Sequence, residues 1–173
     1  MTEYIKNNGE IDFSRLDRFD WSILRHLSQN GRVSVTDLAD RIGLSKSPTQ
    51  ARLRKLEAQG YILGYRAILN PIRLGLDHVS FVEVRLSDTR EAALAAFNDA
   101  VRQIPEIEQA HMIAGNFDYL LKVRVSNMQA YRRVLGEDIS RLPHVASTST
   151  YVAMEAVKEI MTRENAFEHD EVT

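Results

Sequence analysis

The chain of 173 residues contains no cysteine, which excludes a disulfide framework and any metal site built on thiolates. It also lacks an apolar run close to the ~20 residues of a membrane-spanning helix, so we expect no membrane partner. Its first residues do not show the basic and then apolar layout of a secretory signal peptide. These absences together predict a cytoplasmic protein.

A strong excess of one charge sign is also absent, because the formal net charge is −2. This average hides two unlike halves of the chain. Residues 1–75 carry 12 Lys and Arg against 8 Asp and Glu, whereas residues 76–173 carry 10 against 16. A basic front half and an acidic back half predict two modules with different partners.

The patterns of common catalytic and metal sites are missing as well. Five histidines are scattered along the chain, and no two have the spacing of a metal-ligand pair. The sequence contains neither a Gly-rich phosphate loop nor a nucleophile elbow. We therefore predict that the chain is not an enzyme and that it binds no metal and no cofactor, with an enzyme as the remote alternative.

The front half contains three short helical patterns. Apolar residues recur at helical spacing from Leu16 to Leu27, and Asp17 is placed to cap the first turn. A second pattern begins at Ser34, whose hydroxyl can accept an orphan amide, and closes at Gly43. Both patterns predict amphipathic helices that pack on one small core.

The third helical pattern, which starts at Ser47, is basic, and we place Pro48 at its first helical position. Helical spacing puts four residues on its buried stripe: Thr49, Leu53, Leu56 and Gly60. The opposite side shows Ser47, Ala51 and Lys55, with Arg52 and Arg54 on the flanks. Two helices followed by a short turn and a basic helix are typical of a helix-turn-helix, whose last helix enters the major groove of DNA. The alternative is that the basic residues form a solvated face of a domain that never contacts DNA.

The third helix is followed by alternating residues from Tyr61 to Leu69, which predict a pair of short strands around Gly64. Such a pair would form a small wing. Asn70-Pro71 breaks the alternation, and we expect residues 72–76 to form a linker.

The back half alternates between strand and helix patterns. Strands are predicted at residues 78–86, 107–114, 119–125 and 145–154, and helices are predicted around residues 94–104 and 131–142. The order βαββαβ predicts a ferredoxin-like domain, so the whole chain is of the α+β class. Two helices cover only one face of a four-stranded sheet. We therefore expect a second copy of the chain to cover the other face in a homodimer.

The stretch Gly115-Asn116-Phe117-Asp118 lies between two predicted strands, and two interpretations of it remain open. Gly, Asn and Asp are the residues of an ordinary hairpin turn. Exposed amides and a carboxylate also suit the rim of a site for an amino-acid zwitterion.

Both halves of the sequence resemble the Lrp/AsnC family of bacterial and archaeal transcription regulators, also called feast/famine regulators. The matching segments cover about residues 15–160 and include "GNFDYLLKVRV", "AYRRVLGEDISRLP" and "TYVAMEAVK". The resemblance implies an N-terminal winged helix-turn-helix and a C-terminal effector-binding domain called RAM. It also implies dimers that assemble further into octamers, and amino-acid effectors that bind between RAM domains and alter assembly or DNA binding.

The resemblance also implies roles for individual residues. The candidate DNA-binding residues are Thr36, Ser45, Lys46, Ser47, Thr49, Gln50, Arg52, Arg54 and Lys55. The candidate effector-binding residues are Gly115, Asn116, Phe117, Asp118 and Tyr119. Leucine-type members usually carry Asp where this chain has Asn116, and residues 46–50 resemble regulators that activate proline-degradation genes. Leucine and proline therefore both remain possible effectors.

These patterns predict five segments. They are an N-terminal tail (1–14), a winged helix-turn-helix (15–70), a linker (71–77), a RAM domain (78–160) and a C-terminal tail (161–173). The expected function is amino-acid-responsive regulation of transcription, by activation or repression, with duplex DNA and a second copy of the chain as partners. The alternative is an amino-acid-sensing domain that does not recognise an operator.

Overall fold

The computed structural model describes residues 16–159, so the predictions for residues 1–14 and 161–173 fall outside the described residues. The described chain forms two compact units, with the boundary between Ile68 and Leu69. Within the described range, no helix is both long enough and apolar enough to cross a bilayer.

The front unit begins with helix α1, Arg18–Gln29. Asp17 caps it as predicted, because its carboxylate accepts hydrogen bonds from the amides of Phe19 and Asp20. Asp20 in turn reaches back to the Asp17 amide, which completes a capping box and satisfies donors that the first turn leaves without partners.

Helix α2, Val35–Ile42, follows with Ser34 as its N-cap and with Gly43 in the left-handed conformation at its end, both as predicted. Helix α3, Lys46–Ala58, begins earlier than expected, with Ser45 as its N-cap residue. Pro48 therefore occupies the third helical position, so its placement at the first position was wrong. The third position tolerates proline for the same reason, since the first four amides of a helix have no partner within the helix.

A small apolar core joins the three helices. Ile23 of α1, Leu38 of α2 and Leu56 of α3 are buried together, and Leu53, Tyr61 and Ile62 pack against them. The core fixes a helix-turn-helix in which one side of α3 faces outward.

The predicted strand pair at residues 61–69 is absent: no strand lies between Tyr61 and Leu69. A lone two-stranded hairpin is marginally stable in water, because it buries too little apolar surface to offset the ordering of its backbone. The segment instead leaves Leu63 and Ile68 exposed and is attached to α3 by the Tyr65 hydroxyl, which donates a hydrogen bond to Glu57 at 3.0 Å.

The back unit has the predicted order βαββαβ. Its elements are β1 (His78–Leu86), α4 (Glu91–Val101), β2 (Ile107–Met112), β3 (Tyr119–Val125), α5 (Met128–Arg133) and β4 (Val145–Val152). The strands form one antiparallel sheet in the order β2-β3-β1-β4. Strands β2 and β4 end two residues earlier than predicted. The sequence pattern that predicted them continues into the adjoining turns, so it overestimated the length of both strands.

The second helix of the back unit is not one regular α-helix. α5 passes into a π-helical turn, Val134–Asp138, and then into a 3₁₀ turn, Ile139–Arg141. The helical spacing of Tyr131, Leu135, Ile139 and Leu142 predicted this segment, and three of these side chains are buried in the core. Leu135 is only partly buried, and its neighbour Val134 is the buried residue instead.

One face of the sheet carries the core of the back unit. Val82 and Val84 of β1 and Leu121 and Val123 of β3 are fully buried against Phe97 of α4 and the α5 side. The first-strand face predicted from the alternation is confirmed, since Ser80, Val82 and Val84 are buried and Leu86 is partly buried. We refer to the other face, which no described helix covers, as the open face.

Candidate nucleic-acid interface and effector loop

The outward side of α3 is the strongest candidate for contact with another molecule. Seven predicted or neighbouring residues are exposed there or half-exposed: Ser45, Lys46, Ser47, Gln50, Ala51, Arg54 and Lys55. Small residues at the amino end allow the helix to approach a surface closely, and the cations lie farther along it. Within residues 16–159, Lys46 and Arg54 form no ion pair with an acidic side chain.

Thr36 is also exposed, in the first turn of α2 beside the cap made by Ser34. The Ser34 hydroxyl donates to Asp37 at 2.8 Å and accepts from the Asp37 amide at 3.0 Å. Thr36 is thus held on a fixed turn and remains a candidate for a phosphate contact.

Thr49 cannot contact a nucleic acid, because its side chain is fully buried. Its hydroxyl donates to the Ser45 carbonyl at 2.9 Å, within its own helix. The buried stripe predicted from helical spacing was therefore right about Thr49, and its place among the candidate DNA contacts was wrong.

Arg52 points away from the outward side of α3 and toward α1. Its Nη1 atom lies 2.8 Å from Asp20 and 2.6 Å from Asp17, and its guanidinium lies over the ring of Phe19. Hydrogen bonds to Asp20 and Asp17 raise the pKa of Arg52. These acidic partners were not anticipated from the sequence, because Asp20 lies 32 residues before Arg52 and the sequence carries no local signal of their contact.

In the back unit, the candidate effector residues lie on the connection between β2 and β3. Gly115 and Asn116 are exposed, and Phe117 and Asp118 are half-buried. The loop is tied to the first strand, because the Asp118 amide donates to the Val84 carbonyl at 2.9 Å. The Asp118 carboxylate accepts from the Leu86 amide through Oδ2 at 2.7 Å. One of its two oxygens therefore already has a structural role.

Tyr119 is the least accessible of the five candidates. Its side chain is buried and its ring stacks on Phe97, with ring centres 4.3 Å apart. Its hydroxyl lies near Asn98 but meets the geometry of a hydrogen bond to none of the described residues. Burial raises the pKa of Tyr119. The Tyr119 side chain therefore packs in the core next to the loop and does not present a surface to a ligand.

Two charged residues that follow β1 were not singled out from the sequence. Asp88 and Arg90 follow β1 and form an exposed ion pair, with 2.6 Å between the closest atoms. Hydrogen bonds from the Arg90 side chain and amide lower the pKa of Asp88 to about 2. The Ser87 amide donates to the His144 carbonyl at 2.7 Å, which brings the start of β4 to the same end of the sheet.

The open face carries a compact charge cluster in addition to apolar side chains. Lys122 and Arg124 of β3 each pair with Glu108 and Glu159, and the Arg124–Glu159 distances are 2.9 and 3.0 Å. Arg124 also donates to the Leu76 carbonyl at 3.2 Å. Two cations and two carboxylates balance, so the cluster adds no net charge to this face.

Within the described part of the chain, no group of three or more His, Asp or Glu side chains is arranged to hold a metal ion. The fold and its surfaces instead define a class: a helix-turn-helix unit with an exposed basic helix, followed by a ferredoxin-like unit with an exposed loop. This is the architecture of a DNA-binding regulator with a sensor domain.

Comparison with known proteins agrees with this class. Residues 16–62 match the model of a winged helix-turn-helix DNA-binding domain, and residues 79–162 match the Lrp/AsnC ligand binding domain. The chain is 62% identical over 144 residues to the proline dehydrogenase transcriptional activator of Rhizobium radiobacter, covering 83% of this chain and 92% of that protein. It is 48% identical over 144 residues to the leucine-responsive regulatory protein of Escherichia coli K12, covering 83% and 88%.

Solved structures show the same likeness. A transcriptional regulator of Neisseria meningitidis in complex with L-Met has a TM-score of 0.79 and 28% identity, covering 85% of this chain and 95% of that one. An AsnC family regulator of Agrobacterium tumefaciens has a TM-score of 0.79 and 32% identity, covering 84% and 95%. The chain belongs to the Lrp/AsnC family of transcriptional regulators. Its named relatives regulate transcription and are not enzymes.

Proposed function

We propose that the chain is a homodimeric activator of proline-degradation genes that binds an operator through α3 and takes proline as its effector. The observation that carries this proposal is the 62% identity over 144 residues with a proline dehydrogenase transcriptional activator. A second activator of this name, from Rhodobacter capsulatus, is 60% identical over the same length. Both values exceed the 48% identity with the leucine-responsive protein of Escherichia coli.

The proposed operator contact uses the outward side of α3. Ser47, Gln50 and Ala51 occupy the amino half of this side, where a recognition helix reads base edges. Lys46 and Arg54 lie around them and are suited to phosphates. Lys55 is proposed as a further phosphate contact, since its side chain is 47% exposed although its Nζ lies 3.7 Å from Asp20. Ser45 and Thr36 are proposed as further phosphate contacts at the amino ends of α3 and α2. We expect a protein that works on chromosomal DNA to act in the cytoplasm.

The proposed dimer covers the open face. Phe81 and Tyr151 face each other across neighbouring strands and are 37% and 54% exposed, although both are large apolar side chains. The neutral charge cluster beside them leaves no net repulsion between two copies of this face. Ile72 and Leu74, which precede the sheet, are also exposed. We propose that a second copy buries these side chains and that dimers can associate further into octamers.

The dimer is tested by sedimentation equilibrium at micromolar concentration. We expect the wild-type chain to sediment as a dimer or a larger multiple. Phe81→Glu/Tyr151→Glu should sediment as a monomer, since it places two charges in the proposed contact. Arg132→Glu/Arg133→Glu, two exposed changes on α5 away from the open face, is the control for charge alone. A wild-type monomer would refute this part of the proposal.

The proposed effector site is the rim formed by Gly115, Asn116, Phe117 and Asp118, with Tyr119 as its buried support. The free oxygen of Asp118 and the exposed loop amides can bind the ammonium and carboxylate of an amino acid. The half-buried Phe117 ring offers a small apolar surface. This surface suits the ring of proline as the side chain of the ligand.

Calorimetric titration with proline and with leucine tests the effector. We expect proline to bind more tightly than leucine, and Asn116→Ala to weaken binding without loss of folding, because Asn116 is exposed. Asp118→Asn keeps an oxygen for the Leu86 amide but removes the charge, so it separates ligand binding from the structural role of Asp118. Asp99→Asn on α4 is a control on another exposed carboxylate of the back unit. Tighter binding of leucine than of proline would identify leucine as the effector. If Asp118→Asn binds the amino acid as tightly as the wild-type chain, the loop is an ordinary hairpin turn and not the effector site.

DNA binding is tested by fluorescence anisotropy with duplexes from the region upstream of a proline dehydrogenase gene, with and without proline. We expect one duplex to be preferred over a scrambled duplex of equal composition, and a reporter gene behind it to respond to proline. An equal affinity for all duplexes would favour the alternative of a sensor without operator recognition.

A further inference from the structure

Arg52 lies on the helix proposed to bind DNA, yet its guanidinium is occupied within the protein. Asp20 accepts from Arg52 Nη1 at 2.8 Å, and Asp17 lies 2.6 Å from the same atom. The Arg52 side chain is 29% exposed, so most of its surface is already covered. The plane of the guanidinium also lies 5.3 Å from the ring centre of Phe19.

One of the two partners of Arg52, Asp20, cannot be reached from outside, because it is only 1% exposed. Its second oxygen lies 3.7 Å from Lys55 Nζ, so two cations of α3 lie within ion-pair distance of one buried carboxylate. Asp17 caps α1 at the same place through the amides of Phe19 and Asp20. The capping box of α1 is thus also the anchor point of α3.

Apolar packing alone constrains the rotation of α3 weakly. Only Thr49 and Leu56 of its 13 residues are buried, and Leu53 is partly buried. Successive residues lie about 100° apart around a helix, so three apolar residues on one stripe contact the core over a narrow strip only. Rotating such a helix about its axis removes little apolar contact and therefore costs little free energy. A hydrogen-bonded ion pair is directional, and Arg presents fixed donors to carboxylates.

We propose that Arg52 is a positioning residue that uses Asp20 and Asp17 to fix the rotation of α3, so that Ser47 and Gln50 face the base edges of the duplex. This inference deepens the proposed function and rests on it. It assigns sequence selectivity in part to a buried carboxylate on α1. It also removes Arg52 from the set of direct DNA contacts.

The experiment compares the wild-type full-length chain with Arg52→Gln, Asp20→Asn and Arg54→Gln. For each protein, affinities for the preferred duplex and for a scrambled duplex are measured by anisotropy over a range of salt concentrations. The slope of log affinity against log salt counts the phosphates neutralised, at ~0.9 per phosphate. The ratio of the two affinities measures sequence selectivity. Circular dichroism and thermal unfolding establish which variants remain folded.

We expect Arg52→Gln and Asp20→Asn to lower the affinity ratio by about tenfold, the effect of misplacing one good base contact, and to leave the salt slope unchanged. The double variant Arg52→Gln/Asp20→Asn should lose no more than Arg52→Gln alone, since Arg52→Gln already removes the links to both Asp20 and Asp17. Arg54→Gln is the matched control for a phosphate contact on the same helix. It should lower the slope by about 0.9 and leave the ratio unchanged.

The opposite role for Arg52 gives opposite results. If Arg52 neutralised a phosphate, Arg52→Gln would lower the slope, and Asp20→Asn would release Arg52 and strengthen binding to every duplex. Either result would overturn the inference, and Arg52→Gln alone decides the question if Asp20→Asn does not fold. Failure of the wild-type chain to bind any duplex would overturn the proposed function itself, before any variant is compared.

Discussion

The cations of the two units are used in different ways. In the front unit, Lys46 and Arg54 are exposed and form no ion pair within residues 16–159. In the back unit, Lys122 and Arg124 of the open face each contact two carboxylates. A cation without an internal acidic partner is available to an anionic ligand, whereas a paired one maintains the fold. Position in the chain does not decide between the two, because Arg52 lies in the front unit and is paired like Arg124.

The largest effect on stability is expected for Arg124→Met. This variant tests most directly whether a cation that is paired within the protein maintains the fold. Arg124 is 8% exposed, and its removal leaves Glu108 and Glu159 without one of their partners. We expect a loss of about 3 kcal/mol in the free energy of unfolding of the back unit, near the lower end for a broken buried ion pair, since both carboxylates are partly exposed. Urea denaturation measures this loss.

The control for Arg124→Met is Arg132→Met, an exposed cation on α5, outside the open face. Its effect should stay within about 0.5 kcal/mol, as for most surface changes. Equal losses for both variants would contradict the distinction between paired and available cations.

A smaller effect on stability and a larger effect on binding are expected for Lys46→Gln/Arg54→Gln. Neither side chain supports the fold, so the unfolding midpoint should be unchanged. The slope of log affinity against log salt should fall by about 1.8, which corresponds to two phosphate contacts at ~0.9 each. An unchanged slope would place both cations outside the DNA contact.

The smallest effect is expected for Tyr65→Phe, which removes the hydrogen bond to Glu57. Burial, together with this bond, raises the pKa of Tyr65 from 10.0 to about 12. An unfolded chain then releases its proton at lower pH than the folded chain, so the stabilisation is complete below pH 10 and is lost as the pH rises towards 12. The free energy of unfolding, measured between pH 9 and 12, should decline less steeply with pH for Tyr65→Phe than for the wild-type chain. Identical pH profiles would show that the bond does not persist in solution.

Local features of the fold were predictable because each is encoded within a few neighbouring residues. Asp17 and Ser34 cap the first two helices as expected, and Gly43 ends the second in the left-handed conformation. The alternation along β1 correctly identified its buried face. The wing prediction was wrong for the complementary reason: alternation predicts a tendency to extend, but a strand needs a partner, and the described chain offers residues 61–69 none.

The candidate site was predictable in composition and only partly in geometry. Ser47, Ala51 and Lys55 are exposed, as the helical spacing of α3 indicated. The spacing could not show that Arg52 meets Asp20, because a contact between residues 32 positions apart depends on how α3 crosses α1. It also could not show that Asp118 is engaged by the Leu86 amide, which comes from another strand.

The amino-acid sequence by itself determined the caps of the first two helices and the order of the strands and helices of the back unit, because short-range hydrogen bonding and apolar periodicity act between near neighbours in the chain. It also determined the family, since whole segments match it. Only the tertiary structure decided which charged side chains are available to a partner. Whether a cation meets a carboxylate depends on the packing of elements that are distant in the chain, and that packing separates Arg54 from Arg52 although only two residues divide them.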